Sequence, residues 1–140
     1  DFDIVAFDAA GRSGRAIYHT NVMMCIGTSF AVVCADAIAD AQQREAVLAR
    51  LGSSGREIVA IRRDQVARFA GNMLELRGAD GQALLVMSAQ AHRSLETEQL
   101  RRLESFARIV TAPIEHIELS AGGGVRCMIA EVFLPTAVSR

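Results

Sequence analysis

Cys127 is the residue whose type and setting best suit covalent chemistry. It follows three consecutive glycines, of which Gly123 and Gly124 are candidate substrate-binding positions, and it lies near the start of the predicted strand Val125–Leu134. Glycines let the backbone turn sharply and let a ligand approach closely. A thiol becomes an effective nucleophile when a nearby cation or histidine favours its thiolate. Arg126 is next to Cys127 in the sequence, although a strand would point its side chain to the face opposite Cys127. A buried structural cysteine is the competing interpretation. A phosphate nest is a weaker one, because no helix follows the glycines.

A second group of candidates lies near the start of the chain. His19 and Asn21 are two residues apart, which on a strand would place both side chains on the same face. A histidine can transfer protons near neutral pH, and the Asn21 amide could orient a substrate through hydrogen bonds. A lone histidine at a strand start is nevertheless more often structural. Asn72, after Gly71, could also line the site, and an asparagine that caps a turn is an equally good interpretation.

The elements that must position these residues form a repeated pattern. Good helix formers and apolar spacing predict helices at Ala39–Leu51 and Ser94–Arg108, with a short helical turn at Asp64–Phe69. Two pairs of strand-like runs are joined by turn-forming residues as hairpins. The order hairpin, helix, strand occurs twice, which predicts an α/β fold of ββαβ repeats with mixed strand pairing. The predicted strands are Ile4–Phe7, Val22–Ile26, Phe30–Ala35, Ile58–Ile61, Met73–Arg77, Ala83–Ser88, Ile109–Thr111, Ile117–Leu119 and Val125–Leu134.

Composition limits the classes of function. The 140 residues suffice for one domain with a core, and the net charge of −1 disfavours a nucleic-acid or anionic-membrane partner. All fifteen basic residues are arginine, which excludes a lysine Schiff base within the chain. The three cysteines include no C-x-x-C pair and the histidines are scattered, so we predict no disulfide framework, no metal site and no cofactor. A reducing, cytoplasmic location is the expectation, and no apolar run is long enough to span a membrane.

Two sequence runs together carry a family resemblance. Tyr18-His19-Thr20-Asn21 and Gly122-Gly123-Gly124-Val125-Arg126-Cys127 resemble the guanidino-group-modifying superfamily of the pentein fold, which includes arginine deiminase, agmatine deiminase, dimethylarginine hydrolase and the glycine amidinotransferases. The citrulline-utilisation branch, which is amidinotransferase-like, is the most similar through YHTNVMMCIG, GNMLEL and VRCMIAE at 18–27, 71–76 and 125–131. The resemblance implies a ring of five ββαβ blades, an α/β propeller, around a polar centre. Residues 1–140 would be the C-terminal two to three blades of a single catalytic domain, with the N-terminal blades absent from this chain.

The resemblance also implies a reaction. Cys127 would be the nucleophile and His19 the acid and base of a C–N hydrolase that acts on a small guanidino or ureido compound through a covalent intermediate. The catalytic carboxylate of the family precedes the histidine, in blades that this chain lacks, and Asp8 lies too close to His19 to replace it. Three alternatives stay open: an amidinotransferase of the same fold, an incomplete fragment that serves as a structural or interaction domain, and, more weakly, a thiol redox sensor. The apolar excess of the chain is consistent with surfaces that would contact missing blades or another subunit of a homo-oligomer.

Asn21 departs from the pattern of the family. Deiminases and amidinotransferases generally carry His-x-Asp, and that carboxylate binds the cationic guanidinium in a bidentate manner. Asn21 is neutral, and its amide can donate as well as accept hydrogen bonds. We therefore hypothesise a less cationic substrate group, such as the ureido group of citrulline.

Overall fold

The first of two similar units begins with a hairpin. A computed structural model describes residues 3–132. In it, β1 (Met24–Ile26) pairs antiparallel with β2 (Phe30–Val33), helix α1 (Ala41–Ser53) follows, and β3 (Glu57–Ala60) returns parallel to β2. The sheet order β1-β2-β3 places β2 in the centre. Every residue of β2 is buried, as expected for a strand covered on both faces.

The second unit repeats this arrangement with a divided helix. Strand β4 (Leu74–Arg77) pairs antiparallel with β5 (Ala83–Ser88), and β6 (Arg108–Ala112) runs parallel to β5. Between β5 and β6 lie α3 (Ala89–Ser94) and α4 (Thr97–Glu104). The predicted pair of ββαβ units is therefore confirmed, including both hairpins and their mixed pairing.

Short helical segments connect and follow these units. Helix α2 (Arg63–Val66) links them, and α5 (Glu115–Ala121) follows β6. Three 3₁₀ helices complete the described chain, at Thr20–Val22, Ala35–Ala37 and Val125–Met128. In the part of the chain that the structure describes, no helix has the length and apolar character needed to cross a membrane.

Apolar packing and polar contacts join the two units. The rings of Phe30 on β2 and Phe106 after α4 stack with their centroids 5.4 Å apart. At one end of the sheets, the Glu75 carboxylate accepts hydrogen bonds from the backbone N–H of Thr28 at 2.7 Å and from its hydroxyl at 2.8 Å. Thus β4 of the second unit holds the β1–β2 turn of the first. The fully buried large side chains of the core are Phe30, Met23, Ile38, Met73, Leu85, Met87 and Leu103.

The helix predicted at Ser94–Arg108 is wrong in its bounds. Ser94 is the last residue of α3, and Leu95 is extended, with φ −76° and ψ 145°. Helix α4 begins after Glu96, whose backbone N–H donates to the Gln99 side chain at 2.8 Å in a capping box. The other predicted helices agree more closely. Helix α1 begins and ends two residues later than predicted, and α2 overlaps the short helical turn predicted from Asp64.

Three predicted strands are also wrong. Ile117–Leu119 lies within α5, where both apolar side chains are exposed and Glu118 between them is buried. The predicted strand Val125–Leu134 is a 3₁₀ helix over Val125–Met128, and its last two residues lie outside the described range. Ile4–Phe7 is not a strand, and in the predicted strand Val22–Ile26 the strand begins only at Met24. The strand-like runs were misleading here, because these segments have no neighbouring strand to pair with among the described residues.

Candidate functional site

Asn72 joins the two segments that contain the candidate residues. Its side chain is almost fully buried, at 1% exposure. The amide nitrogen Nδ2 lies 2.8 Å from the backbone oxygen of Asn21 and 3.3 Å from Cys127 Sγ, and donates to both. The amide oxygen Oδ1 accepts the backbone N–H of Arg126 at 3.0 Å. The structure therefore brings together Asn21, Asn72 and Cys127, three of the residues predicted from the sequence.

Close backbone packing delivers Asn72 to this position. The chain turns after α2 at Phe69, which has a positive φ of 65°, and the N–H of Asn72 donates to the Phe69 oxygen at 2.8 Å. A Cβ atom on Gly71 would lie 2.5 Å from the Val22 carbonyl oxygen and within 2.8 Å of the Met23 backbone. Glycine is required because another backbone segment occupies the space of a side chain.

The glycines before Cys127 give room to side chains of the site itself. Gly122 ends α5 in the left-handed conformation with φ 68°. A Cβ atom on Gly124 would lie 2.6 Å from Asn72 Oδ1, and one on Gly123 would lie 3.2 Å from the Cys127 Cβ. These contacts show that both glycines permit the packing of Asn72 and Cys127, and a contact of either with substrate stays a prediction.

Cys127 differs from the other two cysteines in its accessibility. It lies on the 3₁₀ helix Val125–Met128 and is exposed, whereas Cys25 and Cys34 are buried. Burial raises the pKa of Cys25 to about 12, and burial also raises the pKa of Cys34. Both buried thiols remain protonated at neutral pH, so Cys127 is the cysteine available for nucleophilic attack.

A cleft of about 260 Å³ with both polar and apolar lining lies beside this arrangement. Asn21, Arg126 and Glu131 contribute polar groups to its lining, and Cys25 and Met73 contribute to its wall. The side-chain oxygen of Asn21 is buried without a hydrogen-bond partner among residues 3–132. An unpaired buried acceptor is costly, and in this conformation the oxygen is closed off from the cleft. Arg126, on the same 3₁₀ helix as Cys127, lines this cleft, and Cys127 is not one of its lining residues among residues 3–132.

His19 is not joined to Cys127 by a hydrogen bond within residues 3–132. It precedes the 3₁₀ helix Thr20–Val22, is exposed, and lines a separate small cleft with Ile17 and Tyr18. The strand that was expected to align His19 and Asn21 is therefore absent, since Asn21 lies within that 3₁₀ helix. The backbone of Asn21, held by Asn72, still connects this segment to Cys127.

Comparison with known proteins identifies the family. The sequence model of the family described as "N,N dimethylarginine dimethylhydrolase, eukaryotic" matches residues 1–134. The chain belongs to this family. It is accordingly an amidinotransferase-like member of the pentein superfamily, as its sequence runs indicated. No curated protein gives a significant match.

Solved structures share the fold of this dimethylarginine dimethylhydrolase family member. Apo ArgZ, a cyanobacterial arginine dihydrolase, aligns with a TM-score of 0.59 and 20% identity over 84% of this chain and 17% of ArgZ. AgrE in complex with ornithine and NAD+ aligns with a TM-score of 0.61 and 17% identity, over 86% of this chain and 16% of AgrE. The N-terminal domain of an ArgZ variant, covalently bound to a reaction intermediate, aligns with a TM-score of 0.58 and 18% identity, over 79% of this chain and 36% of that domain. At these identities the likeness shows the fold, and the chain spans only part of each relative.

Sequence reasoning missed one buried acid near the glycine turn. Glu118 on α5 is 3% exposed, and its Oε2 accepts a hydrogen bond from Gln90 Nε2 at 3.1 Å. Its other carboxylate oxygen has no partner among residues 3–132. The sequence predicted a strand at Ile117–Leu119, and that pattern gave no signal for the burial of Glu118. Among residues 3–132, no three His, Cys, Asp or Glu side chains form a group that could hold a metal ion.

Proposed function

We propose that Cys127 is the nucleophile of a hydrolase that cleaves a C–N bond in a guanidino or ureido compound. The observation that carries the proposal is an exposed Cys127 held by the buried Asn72 amide, next to a cleft, in a member of this family. Hydrolysis of dimethylarginine in the family description, and arginine dihydrolysis in ArgZ, concern the same chemical group. The covalent intermediate seen in the ArgZ variant is consistent with nucleophilic catalysis.

The proposed reaction has two stages. The Cys127 thiolate adds to the planar guanidino carbon, and the electrons of the C=N bond move to nitrogen. The tetrahedral adduct then breaks its C–N bond, and the amine leaves with a proton from His19. Water, deprotonated by His19, attacks the thiouronium carbon, and the C–S bond breaks. The products are a ureido compound, the free amine and the regenerated thiolate. His19 would have to approach Cys127 in the complex with substrate, and catalytic hydrogen bonds often form only then.

We also propose that these residues are the C-terminal part of a larger five-bladed pentein domain. Each ββαβ unit would be one blade, and two are present in the described chain. The chain aligns with 17% of ArgZ and with 36% of its N-terminal domain, which agrees with a domain larger than this chain. The catalytic carboxylate and the rest of the pocket would then come from the other blades.

The test is an assay of the intact protein in water enriched in ¹⁸O. Dimethylarginine, arginine and citrulline would be supplied separately, and the products analysed by mass spectrometry. Hydrolysis of a guanidino substrate should release an amine and place one ¹⁸O atom in the ureido product. Transfer to an added glycine or lysine without ¹⁸O incorporation would instead identify an amidinotransferase. Absence of both reactions from all three substrates would refute the proposal.

Asn21 is expected to set the preference between neutral and cationic substrates. In Asn21→Asp, a carboxylate would replace the side-chain amide of a residue that lines the cleft. Because carboxylates bind guanidinium groups strongly, the ratio of kcat/KM for guanidino over ureido substrates should rise about tenfold. Gln42→Glu, the same change of charge at an exposed position of α1, is the matched control. An unchanged ratio in Asn21→Asp would rule out this role.

A further inference from the structure

We infer that Asn72 is a positioning residue that holds the Cys127 sulfur for attack by donating a side-chain N–H to it. No contact of Asn72 with substrate is needed for this role, in contrast to the substrate-binding role expected from the sequence. The consequence for catalysis rests on the proposed function. The interaction itself rests on the geometry around the Asn72 amide.

The hydrogen-bond network fixes which end of the amide faces the sulfur. Nδ2 lies 2.8 Å from the Asn21 carbonyl oxygen, and Oδ1 lies 3.0 Å from the Arg126 backbone nitrogen. The reverse orientation would place two acceptors together at Asn21 and two donors together at Arg126. The second N–H of Nδ2 is therefore the one directed at Cys127 Sγ, 3.3 Å away.

Burial and steric contact keep this amide in place. Asn72 is 1% exposed, and the position of a Cβ atom on Gly124 is only 2.6 Å from its Oδ1. Gly123 also lies against the Cys127 side chain. The glycine run thus leaves room for the Asn72–Cys127 contact.

A donor at this position favours the thiolate over the thiol. A hydrogen bond from an N–H to a charged acceptor is stronger than one to a neutral acceptor, and a thiol sulfur is a weak acceptor. Arg126 and Glu131 are charged groups of the adjacent cleft, and Cys25 is a buried thiol in its wall. These three residues are the same in every variant compared below, so a change between variants reports on Asn72.

The first test is the pH profile of Cys127 alkylation by iodoacetamide in the intact protein, followed by mass spectrometry of the Cys127 peptide. Asn72→Asp keeps an acceptor for the Arg126 N–H but replaces the donor with a carboxylate. The midpoint of the alkylation profile should move to higher pH. Because the fraction of reactive thiolate falls tenfold for each pH unit by which the midpoint rises, alkylation at pH 7 should be about tenfold slower. Gln42→Glu, at an exposed position of α1, controls for the change in net charge of the protein. A profile within twofold of wild type would overturn the inference.

The second test needs no substitution at Asn72. In ¹⁵N-labelled protein, the side-chain amide signals of Asn72 should shift as Cys127 ionises, and this shift should vanish in Cys127→Ala. Asn72 amide signals that do not change when Cys127 ionises would also overturn the inference. Neither test requires turnover. A protein that passes both tests but hydrolyses no substrate would therefore refute the proposed function and leave the positioning role intact.

Discussion

Cys127→Ala is expected to lower kcat of the intact enzyme at least about a thousandfold, because loss of a covalent nucleophile removes the whole two-stage route. The other thiols of the chain do not offer a replacement. Cys25 and Cys34 are buried, and burial keeps both as neutral thiols at neutral pH, the pKa of Cys25 being raised to about 12. Substrate bound beside Cys127 would then meet only water, which is a far weaker nucleophile.

Covalent labelling separates this effect from a loss of structure. A chloroacetamidine-type guanidine mimic should add its mass to wild-type protein in a saturable manner and leave Cys127→Ala unlabelled. Cys34→Ala, a change at a buried thiol outside the site, is the control and should label as wild type does. Labelling of Cys127 no faster than that of the buried cysteines would indicate a catalytically incomplete chain. More than a tenth of wild-type activity in Cys127→Ala would exclude Cys127 as the nucleophile.

The repeated architecture was predictable because its signals are local. The turn residues 27–29 and 78–81 specify the two hairpins within a few positions of the strands they join. The apolar spacing of α1 and α4 is likewise a short-range feature. Such signals do not depend on the rest of the chain, which is why the order of elements in both units was right.

The conformation around Cys127 was not predictable, because it depends on contacts between distant parts of the chain. Val125–Met128 has an apolar pattern typical of a strand, but the Arg126 N–H bonds to Asn72, 54 residues away in the sequence. Cys127 contacts the same side chain across 55 residues. Long-range contacts of this kind override local preference. They also explain why the sequence indicated the residues Asn21, Asn72 and Cys127 but not the way Asn72 links them.

The contact that brings Asn72 to the site predicts a large loss of stability in Gly71→Ala. The added Cβ would lie 2.5 Å from the Val22 oxygen and within 2.8 Å of the Met23 backbone. Backbone atoms cannot rotate aside as side chains do, so the free energy of unfolding should fall by at least about 2 kcal/mol. The matched control is Gly52→Ala in α1, where a Cβ meets nothing within 4 Å and the free energy of unfolding should rise by up to about 1 kcal/mol. Urea unfolding of both variants measures the difference, and a Gly71→Ala protein as stable as Gly52→Ala would contradict the close packing on which the site depends.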